Sequence, residues 1–159
     1  MTCKAVLFNQ HLEKLLNDHF DLLEINYQLK RNHPQFYLQK LFGKDSDVEL
    51  LICLTPFEDK VKTQPNLITH SPYRVAIRLV QKVLVEDADA GLDDLQKAVH
   101  QVRLAMLPKT DEHNPFKDLC SINSQPFESS PVKYPPPENT VNVASAIMIL
   151  EIPITEKIK

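Results

Sequence analysis

Glycine is almost absent from this 159-residue chain: Gly43 and Gly91 are the only two. Average usage near 7% would give about eleven. Dinucleotide- and phosphate-binding loops need closely spaced glycines, because the backbone must approach the phosphates. Two distant glycines exclude them, and the G-x-S-x-G nucleophile elbow with them. Tryptophan is missing altogether. The three cysteines, Cys3, Cys53 and Cys120, are an odd number without motif spacing, which points to free thiols in a reducing compartment. No apolar run approaches the ~20 residues of a membrane helix. The start of the chain breaks at Asn9-Gln10-His11, so no secretory leader is expected. A formal net charge of -3 leaves no basic excess for phosphate neutralisation. Lys30-Arg31 is the densest basic cluster. Neither nucleic-acid readout nor a membrane partner is expected, and the chain reads as soluble and intracellular.

What is present is charge, apolar periodicity and proline. At roughly 150 residues per domain the length fits one domain, 1–159, long enough to bury a core without metals or disulfides. Residues 4–19 carry apolar side chains at helical spacing and predict an amphipathic helix. Residues 20–29 alternate apolar and polar, which favours a strand, although continuation of the helix stays open. A short helix is predicted over 34–42, with Pro34 at its first position and Gly43 as its stop. The compact run 48–54 reads as a buried strand ending at Pro56. The polar stretch after it, with Pro65 and Asn66, is a hairpin connection or an ordered loop.

Residues 73–85 give the clearest strand. Tyr73, Val75, Ile77, Leu79, Val83 and Val85 share one face; Arg74, Arg78 and Lys82 share the other with Ala76, Val80 and Leu84. A turn is expected at 86–91 and a helix over 92–106. Asp93 and Asp94 are expected at its first turn, where carboxylates suit the positive end of the helix dipole. Residues 108–140 hold seven of the twelve prolines, including Pro135-Pro136-Pro137, and predict an extended, polyproline-like segment with one short strand over 119–125. Residues 141–154 are apolar on both faces and read as a central strand, whose ladder should end at Pro153; 155–159 form a charged tail. The fold class is α+β, a mostly antiparallel sheet with helices packed on one face.

None of the six histidines falls at zinc-ligand spacing, so all are expected to be solvated or at helix edges, and no cofactor or metal is implied. Cys53 lies in an apolar strand and should be a buried, inert thiol. Cys120, with His113 seven residues earlier, is the better-placed nucleophile but matches no catalytic pattern. Five acids, Glu86, Asp87, Asp89, Asp93 and Asp94, lack the spacing of a calcium loop. They read as an acidic turn entering a helix, or as a contact on a partner. The basic row Arg74, Arg78 and Lys82 is either a solvated sheet face or a subunit interface. As an interface, its complement is the acidic cluster of Glu86, Asp87 and Asp89 on a neighbour, since a head-to-tail ring places two unlike patches together.

The run Pro72-Tyr73-Arg74-Val75-Ala76-Ile77-Arg78-Leu79-Val80, the acidic turn, and the helix Gly91-Leu92-Asp93-Asp94-Leu95-Gln96-Lys97-Ala98-Val99-His100-Gln101-Val102-Arg103-Leu104-Ala105-Met106-Leu107 resemble the middle of the tail-terminator (tail-completion) proteins of tailed bacteriophages. The N-terminal helix and the strands over 48–54 and 141–154 fit the same order. The resemblance implies a non-enzymatic structural protein and a homohexameric ring. Such a ring caps the finished tail tube and offers the surface to which a head-completion or neck protein joins. Related caps occur on contractile injection systems. Its partners would be itself, the tube protein and the neck, and its location the host cytoplasm during assembly and then the tail. The proline-rich connection is longer here than in many members, which marks Pro126, Phe127, Tyr134, Pro135, Pro136 and Pro137 as a partner-binding arm. Two other classes compete: a small cellular α+β binding or regulatory module, and an enzyme without a standard motif.

Overall fold

The computed structural model describes residues 3–38, 42, 47–84, 87–108, 110–119, 125–136 and 142–158. The chain opens with α1 (Lys4–Asp21), which buries Phe8, Leu12, Leu16 and Phe20 along one stripe. It runs two residues past the expected end, so the ambiguous stretch divides: its first residues close the helix, and the strand starts only at β1 (Tyr27–Lys30). Pro34–Phe36 form a single 3-10 turn, capped where His33 Nδ1 accepts from the Gln35 backbone N–H at 3.2 Å. Gly43 lies outside the described residues.

Two long strands follow, β2 (Leu50–Gln64) and β3 (Leu67–Lys82). Pro65 and Asn66 form the turn between them. Proline fixes the first φ, and Asn66 takes the left-handed conformation with φ 62°. The hairpin alternative is therefore the one observed, and with much longer arms than expected. Contrary to expectation, β2 does not stop at Pro56. β1 pairs with β2 only as far as Cys53, so Pro56 sits where the outer edge of β2 has no neighbouring strand. A missing backbone N–H costs little there.

The next helix, α2, spans Ala88–Ala105. It takes in part of the expected turn, including Gly91, so Asp89 is the first-turn acid and Asp93 and Asp94 fall in the second turn. Leu95, Val99 and Val102 supply its buried stripe. A 3-10 turn at Asp111–His113 follows, then the short β4 (Phe127–Glu128) and finally β5 (Val143–Lys157). Leu119 lies in a turn and residue 125 in no strand; the rest of the strand expected over 119–125 is outside the described residues. β5 passes through Pro153 and takes up part of the expected tail. Its register with β3 shifts between His70 and Tyr73, so two residues of β3 stand opposite Pro153 and the irregularity absorbs it.

The sheet order is β1-β2-β3-β5-β4, with β1–β2 parallel and every other pairing antiparallel. β5 lies inside the sheet between β3 and β4, as expected of a central strand, and β3 is the middle strand of the five. Both helices cover one face, where their stripes meet Leu50, Ile52, Leu54, Val75, Ile77, Leu79 and the even-numbered residues of β5 from Ala144 to Ile154. The fold is α+β, as expected. Phe116 and Leu119, from the proline-rich segment, belong to this same core. On the opposite face a smaller cluster of Phe42, Val48, Leu51, Cys53 and Val80 covers only one end of the sheet. No helix of the described residues is long and apolar enough to cross a membrane.

Candidate functional site

The uncovered part of that second face is the candidate site. Pairing of Cys53 with Arg78, Thr55 with Ala76, Arg78 with Ile147 and Ala76 with Ile149 puts these side chains on one surface. The proline-rich segment forms its wall. Residues 125–136 run along the edge of β5: Phe127 and Glu128 pair with Glu151 and Leu150, the Ser129 N–H donates to the Ile149 carbonyl at 3.1 Å, and Lys133 bridges to Ile147. A bidentate ion pair ties this edge to the helical layer. Arg103 Nε and Nη2 donate to the Glu128 carboxylate at 2.8 and 2.9 Å, which holds the guanidinium above its ordinary pKa.

Two cavities flank Arg78 along this surface. One, of about 300 Å³, is bounded by Phe57, Arg74, Arg78, Ser129, Lys133 and Ile147 among others. The second, of about 290 Å³, lies between Arg78, Leu38, Val143 and Pro136. His33 also lines it, and burial first and the nearby Arg78 charge second hold the imidazole below its ordinary pKa.

The three residues of the basic row have different fates. Arg74 is held by its own chain: Nε donates to Glu151 at 2.7 Å and Nη1 to Glu58 at 3.0 Å. These bonds, Glu151's first, raise its pKa. Lys82 lies some distance away in an acidic cleft of about 390 Å³ with Asp47, Glu49, Asp87 and Asp94. Arg78 is paired with no carboxylate of the described residues. Its Nε, Ser129 Oγ and Thr55 Oγ1 are all buried without a hydrogen-bond partner there. Glu86 and Pro137 lie outside the described residues. Asp87 and Asp89 are exposed at the start of α2, at the end of the sheet rather than beside Arg78. Of the arm residues, Pro126 is buried and serves as an anchor, whereas Phe127, Tyr134, Pro135 and Pro136 are exposed.

The structure thus brings together two features that the sequence keeps apart, Arg78 and the proline-rich arm. It adds Thr55, Ser129 and the exposed Lys133, which carried no sequence signal: single hydroxyls and a lysine in irregular or strand segments are ordinary surface chemistry until the fold buries the hydroxyls beside an arginine.

A second polar cluster contradicts the expectation of solvated histidines. His70 is 6% exposed. Its Nδ1 lies 2.7 Å from Asp59 Oδ1, and its Nε2 lies 3.5 Å from Glu156 Oε2. The other oxygen of Glu156 accepts from the Lys4 backbone N–H, and Lys4 Nζ donates to the Thr155 carbonyl at 2.6 Å. The cluster clasps β2, β3, β5 and the first turn of α1 together. Among the described residues no group of three or more His, Cys, Asp or Glu side chains is placed to hold a metal ion.

Cys53, opposite Arg78 on β2, is fully buried, and burial pushes its thiol up to about 12. At pH 8 about one molecule in 10⁴ would carry the reactive thiolate. Iodoacetamide should therefore alkylate the exposed Cys3 while leaving Cys53 unmodified until the protein unfolds. Peptide mapping that finds both labelled at similar rates would contradict this. Cys120 lies outside the described residues.

No protein-family model matches the chain, and no curated protein matches it.

Proposed function

We propose that the chain is a structural assembly protein that forms a ring of identical subunits, most simply a hexamer, capping the tail tube of a phage or phage-like particle. The ring would be the surface to which the head joins. The supporting observation is a pair of unlike surfaces on one molecule. One is a groove on the open sheet face, where an arginine side chain and two hydroxyls find no partner among the described residues. The other is the acidic, exposed beginning of α2. Contact between unlike patches is heterologous and closes into a ring when its rotation allows. The arm adds support. It already lies as an edge on β5 and turns Phe127 and Tyr134 outward, 49% and 47% exposed. Two such aromatic side chains suit a contact with a neighbouring subunit or the tube. In this reading the protein needs no cofactor, is not an enzyme, and passes from the host cytoplasm into the particle tail. Negative-stain images of the purified protein should show rings with a central opening. Fields of small, featureless particles at high protein concentration would count against it.

A further inference from the structure

The ring reading leaves open which residues meet, and the orphaned groups beside Arg78 narrow the choice. We infer that the groove between Arg78 and Ser129 is a carboxylate socket, and that its occupant is the Asp89–Leu92–Asp93 face of α2 from a second copy of the chain. This rests on the ring reading above and adds its contact residues.

Three observations carry it. First, Arg78 Nε and Ser129 Oγ are buried without a hydrogen-bond partner among the described residues, and both residues line one cavity of about 300 Å³. Both carry a hydrogen to donate, and Lys133 adds a second positive charge. A carboxylate is acceptor-only, is negative and has two oxygens, so one group can take an arginine N–H and a serine O–H together. Leaving a buried donor unmade is unfavourable, so an occupant that satisfies both is favoured over none.

Second, among the described residues the chain's own carboxylates near this surface are already committed. Glu58 and Glu151 hold Arg74, and Glu128 holds Arg103 on the helical side. Asp87 and Asp94 line the cleft that contains Lys82. Lys82 is four residues along β3 from Arg78, about 13 Å at strand rise, and α2 begins beyond it.

Third, the face of α2 turned away from that cleft matches the groove in kind. Asp89, Leu92 and Asp93 are exposed and fall at helical spacings of three and four, so they share one face. Leu92 is 50% exposed, as is Phe57 at the groove's rim. Leu92, beside the two carboxylates, would meet Phe57 and Ile147 while Asp89 and Asp93 face Arg78 and Lys133; Glu58, also on the groove wall, is held by Arg74.

Charge exchange tests this on the full-length protein. Arg78→Glu and the double variant Asp89→Lys/Asp93→Lys should each lower the assembled fraction at least tenfold in sedimentation velocity, at protein concentrations where the wild type is assembled. The triple variant with all three changes should return to within a few-fold of wild type. Arg78→Gln, which keeps a polar side chain without the charge, should also weaken assembly; it serves in place of Arg78→Glu should the latter fail to fold by circular dichroism. Wild-type assembly unaffected by either Arg78 variant would overturn the socket while leaving the ring intact. So would a triple variant that stays dissociated. A wild type that never assembles would overturn both.

Discussion

Phe116→Ala should lower the thermal midpoint by roughly 6–20 °C, the equivalent of about 3–5 kcal/mol for removing a fully buried phenyl ring from a chain of this size. Phe116 is 1% exposed. Its ring centroid lies 5.3 Å from that of Phe8 at a 47° tilt and 6.5 Å from that of His11, so the proline-rich segment begins by plugging into α1. The backbone is fixed at the same point: Asn114, also buried, accepts from the Phe116 N–H through Oδ1 at 2.9 Å. Truncation would leave a cavity between a helix and a segment with little regular structure of its own, where the surroundings close in only partly. The matched control is Phe127→Ala. That side chain is 49% exposed, and its loss should shift the midpoint by no more than about 2 °C. A melting curve in which the two variants behaved alike would contradict the placement of Phe116 in the core.

Gly91→Ala should destabilise the protein by up to about 2 kcal/mol, although alanine is the better helix former. In an open helix the exchange gains about 1 kcal/mol. Here an added Cβ would meet Val83 at 2.8 Å from one γ-methyl, 3.1 Å from the other and 3.2 Å from its Cβ. Both methyls are in the way, so rotating the stiff valine exchanges one clash for another, and overpacking of this kind costs about 1–3 kcal/mol. The helix would have to lift from the end of β3. The sign of the effect is the test. In a Val83→Ala background the same Gly91→Ala change should become stabilising, by up to about 1 kcal/mol in urea denaturation. Stabilisation in both backgrounds would show that the contact does not limit packing.

The contrast between these two residues shows what was legible in the sequence. Helical spacing in α1 and α2 and alternation in β3 were readable because each reports one buried face of one element. The α+β class and the division of β3 into an apolar face and a basic face followed from those local patterns. Proline misled twice for the same reason. Pro56 and Pro153 break a strand only where a ladder demands their N–H, and neither an unpaired outer edge nor an irregular register is visible locally. The composition of 108–140 predicts an extended segment, yet Phe116 and Leu119 belong to the core and Pro126 anchors an edge strand. Too few apolar residues at no regular period gave nothing to read. The His70 clasp joins residues 11 and 86 positions apart, and the groove joins Arg78 to Ser129; such pairings belong to topology rather than to any window of sequence. The row of Arg74, Arg78 and Lys82 was visible. Which of its members its own chain would neutralise depended on Glu58 and Glu151 on two other strands.

Assembly through unlike charged surfaces is most directly tested by the native mass of the purified protein across ionic strength. Near 0.1 M salt the Debye length is about 10 Å, and at 1 M about 3 Å, so charged contacts between subunits weaken as salt rises. The expected result is a species at a defined multiple of 18.2 kDa, a sixfold multiple for a hexameric ring, giving way to the single-chain mass as salt is raised. A single-chain mass at every salt concentration, with the protein held at high concentration, would contradict it.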